Sequence, residues 1–126
     1  SDLPLAVEFR HDSWNTVGTA AFLRKLAASF CAVDEPALTG LIPWTDFVTA
    51  SLGYVRLHGR NRAWFTAGAK ERYNYDYREV ELQSLLQRIR IMAGATQKIF
   101  IFFNNCYMGR AVKNALAFRD MLQSAS

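Results

Sequence analysis

Gly53-Tyr54-Val55-Arg56-Leu57-His58 is the stretch that decides the fold. Its apolar and polar residues alternate with a period of two, the signature of a β-strand with two unlike faces. Val55 and Leu57 take one face, and Tyr54, Arg56 and His58 take the other. Three more runs read the same way: Leu5–Arg10, Phe30–Asp34 and Lys98–Asn104. Helical patterns lie between and after them. Residues 16–28 place Ala20, Leu23, Leu26 and Ala27 on one face, with Ser13 or Asn15 available as cap. Residues 76–93 carry Val80, Leu82, Leu85, Leu86, Ile89 and Met92 in a broad stripe, with Glu79 and Glu81 outside it, Asp76 as N-cap and Gly94 at the C-terminal end. Residues 109–123 group Ala111, Ala115, Phe118 and Leu122. Strands alternating with helices predict an α/β fold with parallel strands and outer helices. Residues 35–52 and 61–75 read as long connections.

Composition sets the outer limits. A chain of 126 residues makes one domain, here residues 1–126, and 51% apolar content excludes disorder and collagen-like repeats. No apolar run reaches membrane-spanning length, and the N-terminal residues lack a secretory signal, so the expected location is the cytoplasm. The absence of an initial Met suggests a processed or incomplete product. Cys31 and Cys106 have no metal-ligand spacing and read as buried small hydrophobes in a reducing compartment. The net charge of +4 is mild, and the Lys and Arg residues are scattered. The densest stretch is Arg56–Arg62, which holds three Arg and one His and is one place an anionic ligand could sit.

Polar residues recur at the carboxyl ends of the four runs, where parallel α/β folds place ligands. Strand alternation predicts one sheet face presenting Glu8, Arg10, Asp34, Arg56, His58 and Asn104. Charges in a sheet core are costly unless paired, so Arg against Glu8 and Asp34 reads either as a packing network or as a pocket gripping an anion.

The motifs come in a recognisable order. They are Val7-Glu8-Phe9-Arg10-His11 with Ser13-Trp14, Asp34-Glu35-Pro36, Tyr54-Val55-Arg56-Leu57-His58-Gly59-Arg60, and Ile101–Asn105 followed by Gly109, Ala111, Asn114 and Ala115. From about residue 5 to 122 the chain resembles the carboxyl-terminal half of domain-of-unknown-function family 72, the YecE-like proteins. Two positions depart from that pattern: Glu35, where a smaller or polar residue is expected, and Cys106-Tyr107-Met108 after Asn105. The resemblance implies a TIM-barrel-like (β/α) fold of roughly 240 to 280 residues, of which this chain supplies about half. It implies no particular reaction. The missing half, or a second copy, is then needed to close the barrel.

The site expected from these residues uses Arg10, Arg56 and Arg60, with Asn104 and Asn105, to bind a small anionic or polyhydroxy ligand. His58 is the proton-transfer group, and Glu8 and Asp34 complete the catalytic set. As a glycosidase-like pair Glu8 and Asp34 are poor, because Arg neighbours hold both ionised. No metal-ligand spacing is present, no cofactor is indicated, and no GxSxG or Gly-rich phosphate loop occurs. The competing expectation is a non-catalytic binding module, with nucleic acid as a candidate ligand, built from residues 56–62 and the loop aromatics Trp44, Trp64, Phe65, Tyr73, Tyr75 and Tyr77.

Overall fold

The computed structural model describes residues 3–68 and 71–124. The chain runs β1 (Ala6–Val7), α1 (Val17–Leu26), β2 (Ser29–Phe30), β3 (Ala32–Asp34), β4 (Leu52–Leu57), α2 (Glu79–Ala93), β5 (Lys98–Phe103) and α3 (Arg110–Ser124). Every strand pairing is parallel: β1 with β2, then β3–β4–β5. The run Phe30–Asp34 is split at Cys31, whose amide donates to Val7 O at 2.9 Å. Within this one residue the run changes partner, from β1 on one side to β4 on the other. The four runs thus occupy consecutive strand positions in a parallel α/β layer.

Outer helices cover one side of that layer. Leu82, Leu85, Leu86, Ile89 and Met92 of α2 and Phe118 of α3 bury Ala32, Val55 and Leu57, with Ile99, Ile101 and Phe103 packed against them. A second cluster joins Leu23 of α1 to Phe30, Val33 and Ile42. The other side of the layer is open: Tyr54 stacks on Phe102 at 5.1 Å, and Phe100 and Phe102 are 43% and 44% exposed.

The helix ends differ in detail from the sequence reading. Thr16, not Ser13 or Asn15, caps α1 by accepting from the Thr19 amide, and Ser13 and Trp14 sit in a preceding 3-10 turn. Arg78 rather than Asp76 occupies the N-cap of α2, and Glu81 reaches back to accept from the Arg78 amide at 2.9 Å. Asp76 is drawn away by α3, accepting from Lys113 at 2.8 Å and Asn114 at 3.0 Å. Leu26, Val80 and Leu122 are exposed, while Glu81 and Asn114 are buried on the stripes. Cys31 is buried as expected and Cys106 is exposed.

Candidate site at the carboxyl ends of the strands

Strand register sorts the polar residues into two networks. Val33 lies opposite Arg56, and Arg56 opposite Phe102, so these share one face, which is buried at Val33 and open at Phe102. Asp34 lies opposite Leu57 and therefore points to the helix side. The expectation that Asp34 shares the face of Arg56 and His58 is corrected here. Alternation within one strand fixes relative facing, but only inter-strand register fixes which face is which.

The open-face network centres on Glu8, just past β1. Its Oε1 accepts from Arg56 Nη1 at 2.8 Å, and its Oε2 faces Arg10 Nε at 3.0 Å and His58 Nε2 at 3.1 Å. Burial on its own raises the Glu8 carboxyl. The His58 hydrogen bond and charge, then Arg56 and Arg10, outweigh it and hold Glu8 at about 2. Two guanidiniums against one carboxylate leave this cluster net positive. Arg10 is 65% and Arg56 30% exposed, so both stay within reach of a ligand.

His58 is held from all sides. Its other ring nitrogen, Nδ1, lies 3.1 Å from Asn104 Nδ2, so both ring nitrogens face a polar partner. Trp64 and Tyr73 pack near the ring, and the side chain is 1% exposed. The residue expected to transfer protons has both nitrogens engaged and no open side. In this geometry it positions Glu8.

The helix-side network is built on Asp34. Arg60 donates to its carboxylate through Nε and Nη2 at 2.9–3.2 Å, and Tyr77 Oη donates at 2.7 Å. Arg60 Nη1 also reaches Glu81 at 3.1 Å, and Tyr75 Oη donates to the same oxygen at 2.6 Å. Here two carboxylates enclose one guanidinium. Burial and the Asp34 charge push the Tyr77 hydroxyl well above its ordinary value, so it remains a donor. Tyr77 Oη lies 2.9 Å from the Gly59 amide, tying the turn after β4 to the same hub. Gly59 is needed there: its φ is +93°, and a Cβ would stand 2.7 Å from the Tyr75 Cβ. Asn105 is fully buried, donating to Tyr75 O and Asn114 Oδ1, both at 2.8 Å. Its contacts hold the loops together. The sequence marks Tyr75 and Tyr77 only as loop aromatics, Asn114 only as part of a motif and Glu81 as outside the helix stripe, because each draws its role in this network from a partner distant in sequence.

The segment 56–62 is not a continuous basic stripe. Arg56 turns to the open face and Arg60 to the helix side, and Trp64 and Tyr77 among the loop aromatics are buried. Burial, reinforced by Glu8, pushes the Cys31 thiol up to about 12, so it is no nucleophile at neutral pH. Among the described residues, no group of three His, Cys, Asp or Glu side chains is placed to hold a metal ion. No described helix is long and apolar enough to cross a membrane.

Comparison with known proteins decides the relationship. The family model described as "Protein of unknown function DUF72" matches residues 1–126. The chain belongs to the DUF72 family. A DUF72 family protein from Thermotoga maritima has a crystal structure that superposes with a TM-score of 0.94 at 45% identity, over 97% of this chain and 47% of that one. A DUF72 protein from Enterococcus faecalis gives 0.88 at 32% identity, over 98% and 48%. UPF0759 protein YunF of Bacillus subtilis is 29% identical over 96% of this chain and 47% of its own length. The chain thus spans about half the length of the DUF72 relatives it matches. Its consecutive parallel strands with outer helices are about half of a TIM-barrel-like fold, as the motif order implied.

Proposed function

We propose that this DUF72 chain supplies the carboxyl-terminal half of an enzyme-like barrel whose Glu8–Arg10–Arg56 cluster binds a small anionic or polyhydroxy ligand. The observation that carries the reading is the charge imbalance at Glu8. One carboxylate, fixed by His58, holds two partly exposed guanidiniums at the carboxyl ends of parallel strands. A carboxylate or phosphate ligand would take the remaining donors of Arg10 and Arg56 in the planar geometry that guanidinium favours. Glu8 and His58 serve as positioning groups. Asp34 and Arg60 anchor the loop that carries His58. The open face with Phe100 and Phe102 is closed by the remainder of the barrel or by a second copy.

In the intact protein, Arg56→Ala is expected to weaken sulfate binding at least about tenfold, the scale of losing one charge-assisted hydrogen bond. Calorimetric titration measures it. Unchanged affinity in Arg56→Ala, with the fold intact by circular dichroism, would overturn the reading.

A further inference from the structure

Glu35 follows β3 directly, yet neither network uses it, and its Oε1 is buried with no hydrogen-bond partner. An acceptor left unmatched in this way is costly. Glu35 lines a cleft of about 640 Å³ together with Asp12, Asn15, Pro43, Trp44 and Arg60. That volume falls within the roughly 300–1,000 Å³ range of small-ligand sites. Its walls come from the turn after β1, the connection after β3 and the turn after β4. The Glu8 cluster is elsewhere: Glu8 and Arg56 line a separate cleft with Cys31 and Tyr54.

We propose that this second cleft binds a neutral saccharide, with Trp44 as the platform for the sugar's C–H face and Asp12, Asn15 and Glu35 as partners of its hydroxyls. The inference goes beyond the anion-binding reading and does not rest on it, because Glu8, Arg10 and Arg56 take no part in this cleft.

The cleft is built before any ligand arrives. The Asp12 amide donates to Gly40 O at 3.1 Å, and His11 bridges to Leu41, so the two facing connections are tied together. Trp44 is fixed as well. Its Nε1 donates to Asp46 Oδ1 at 2.9 Å, and the side chain packs partly against the core under α2. An aromatic already held on a cleft wall offers apolar surface at little further ordering cost. Asp12 is half exposed and meets His11 Nδ1 at 3.3 Å, which leaves carboxylate lone pairs for a ligand. Asn15 is exposed beside it.

The charges select a neutral ligand. Arg60 is enclosed by Asp34 and Glu81, so it has little charge to offer an anion, and Asp12 and Glu35 oppose one. A cation is poorly served too. Asp34 is spent on Arg60 and Tyr77, and burial pushes the Glu35 carboxyl up to about 7, which makes it a weak counter-charge. A sugar hydroxyl both donates and accepts, so it meets a carboxylate, a carboxyl or an amide equally well.

The test is saturation-transfer NMR of the intact protein with glucose, xylose and cellobiose, and with tetramethylammonium as a cation probe. The expected result is transfer to the ring C–H protons of at least one of these sugars and none to tetramethylammonium. Trp44→Leu keeps an apolar side chain against the core and is expected to weaken sugar binding about tenfold, with Trp44→Phe retaining part of it. Asp12→Ala, at an exposed turn, is expected to weaken it by about the same factor, and decides the matter should Trp44→Leu not fold. Sulfate binding, measured on the same variants, is expected to be unchanged. No transfer to any of the three sugars, or transfer to tetramethylammonium alone, overturns the proposal and leaves the anion site standing. Sugar binding that is unchanged in Trp44→Leu or in Asp12→Ala, or that is lost in Arg56→Ala instead, also overturns it.

Discussion

Arg60→Ala is expected to lower the melting temperature of the intact protein more than any other single surface-reaching substitution in this half. The side chain is a third exposed, yet Asp34 and Glu81 beneath it are 8% and 6% exposed and depend on it for compensation. Removing one partner of a buried ion pair strands the other, at a cost of about 3 kcal/mol once partial screening of Arg60 is allowed for. In a protein of about twice this length that is roughly a 6–12 °C fall. Arg62, exposed on the same loop, serves as control, with Arg62→Ala expected near zero. Thermal unfolding followed by circular dichroism reads both. A shift below about 2 °C for Arg60→Ala would mean that water replaces the guanidinium cheaply and that the hub is not structural.

The second large effect is a pair of opposite pH dependences. The Glu8 carboxyl is held at about 2 against an ordinary value of 4.5. Its stabilisation is therefore complete above pH 4.5 and is lost as pH falls towards 2, where the folded state must also take up the proton. Glu35 behaves in the reverse sense. Between pH 4.5 and 7 the unfolded chain releases its proton while the folded chain keeps it, so stability falls across that window and stays lower above it. Glu35→Gln removes the cost. The variant is expected to match the wild type near pH 4 and to exceed it by about 1–3 kcal/mol at pH 8. Glu8→Gln is expected to be less stable than the wild type at pH 7 and to lose that difference below pH 3. Denaturant unfolding at pH 4, 6 and 8 separates the Glu35 curves. A Glu35→Gln protein that is less stable than the wild type at pH 8 would place an ionised, well-partnered carboxylate at that position instead.

Much of this was visible in the residues. The four runs, the three helices and the crowding of polar groups at strand ends followed from apolar spacing, because burial on one side of a strand or helix imposes that spacing directly. The open face of β4 and β5 was also readable: Tyr54, Arg56 and His58 beside Phe100, Phe102 and Asn104. Asp34 was placed on the wrong face because its position depends on register with β4, and a shift of one residue reverses every side chain. Asp76 looked like a helix cap until Lys113 and Asn114, nearly forty residues on, claimed it. Glu81 counts as a solvent-facing helix residue by local pattern. Only the arrival of Arg60 and Tyr75 explains why it is buried. Glu35 stood out in sequence only as a departure from family pattern, and the reason for its environment lies in charges gathered from three segments.

The proposed role of the positive cluster around Glu8 is to receive an anion. Anomalous diffraction from crystals of the intact protein soaked in selenate tests it most directly. The predicted result is a selenium peak within hydrogen-bonding distance of Arg10 and Arg56, on the open face of the strands. Selenate peaks found only elsewhere on the molecule, with none at these guanidiniums, would contradict it.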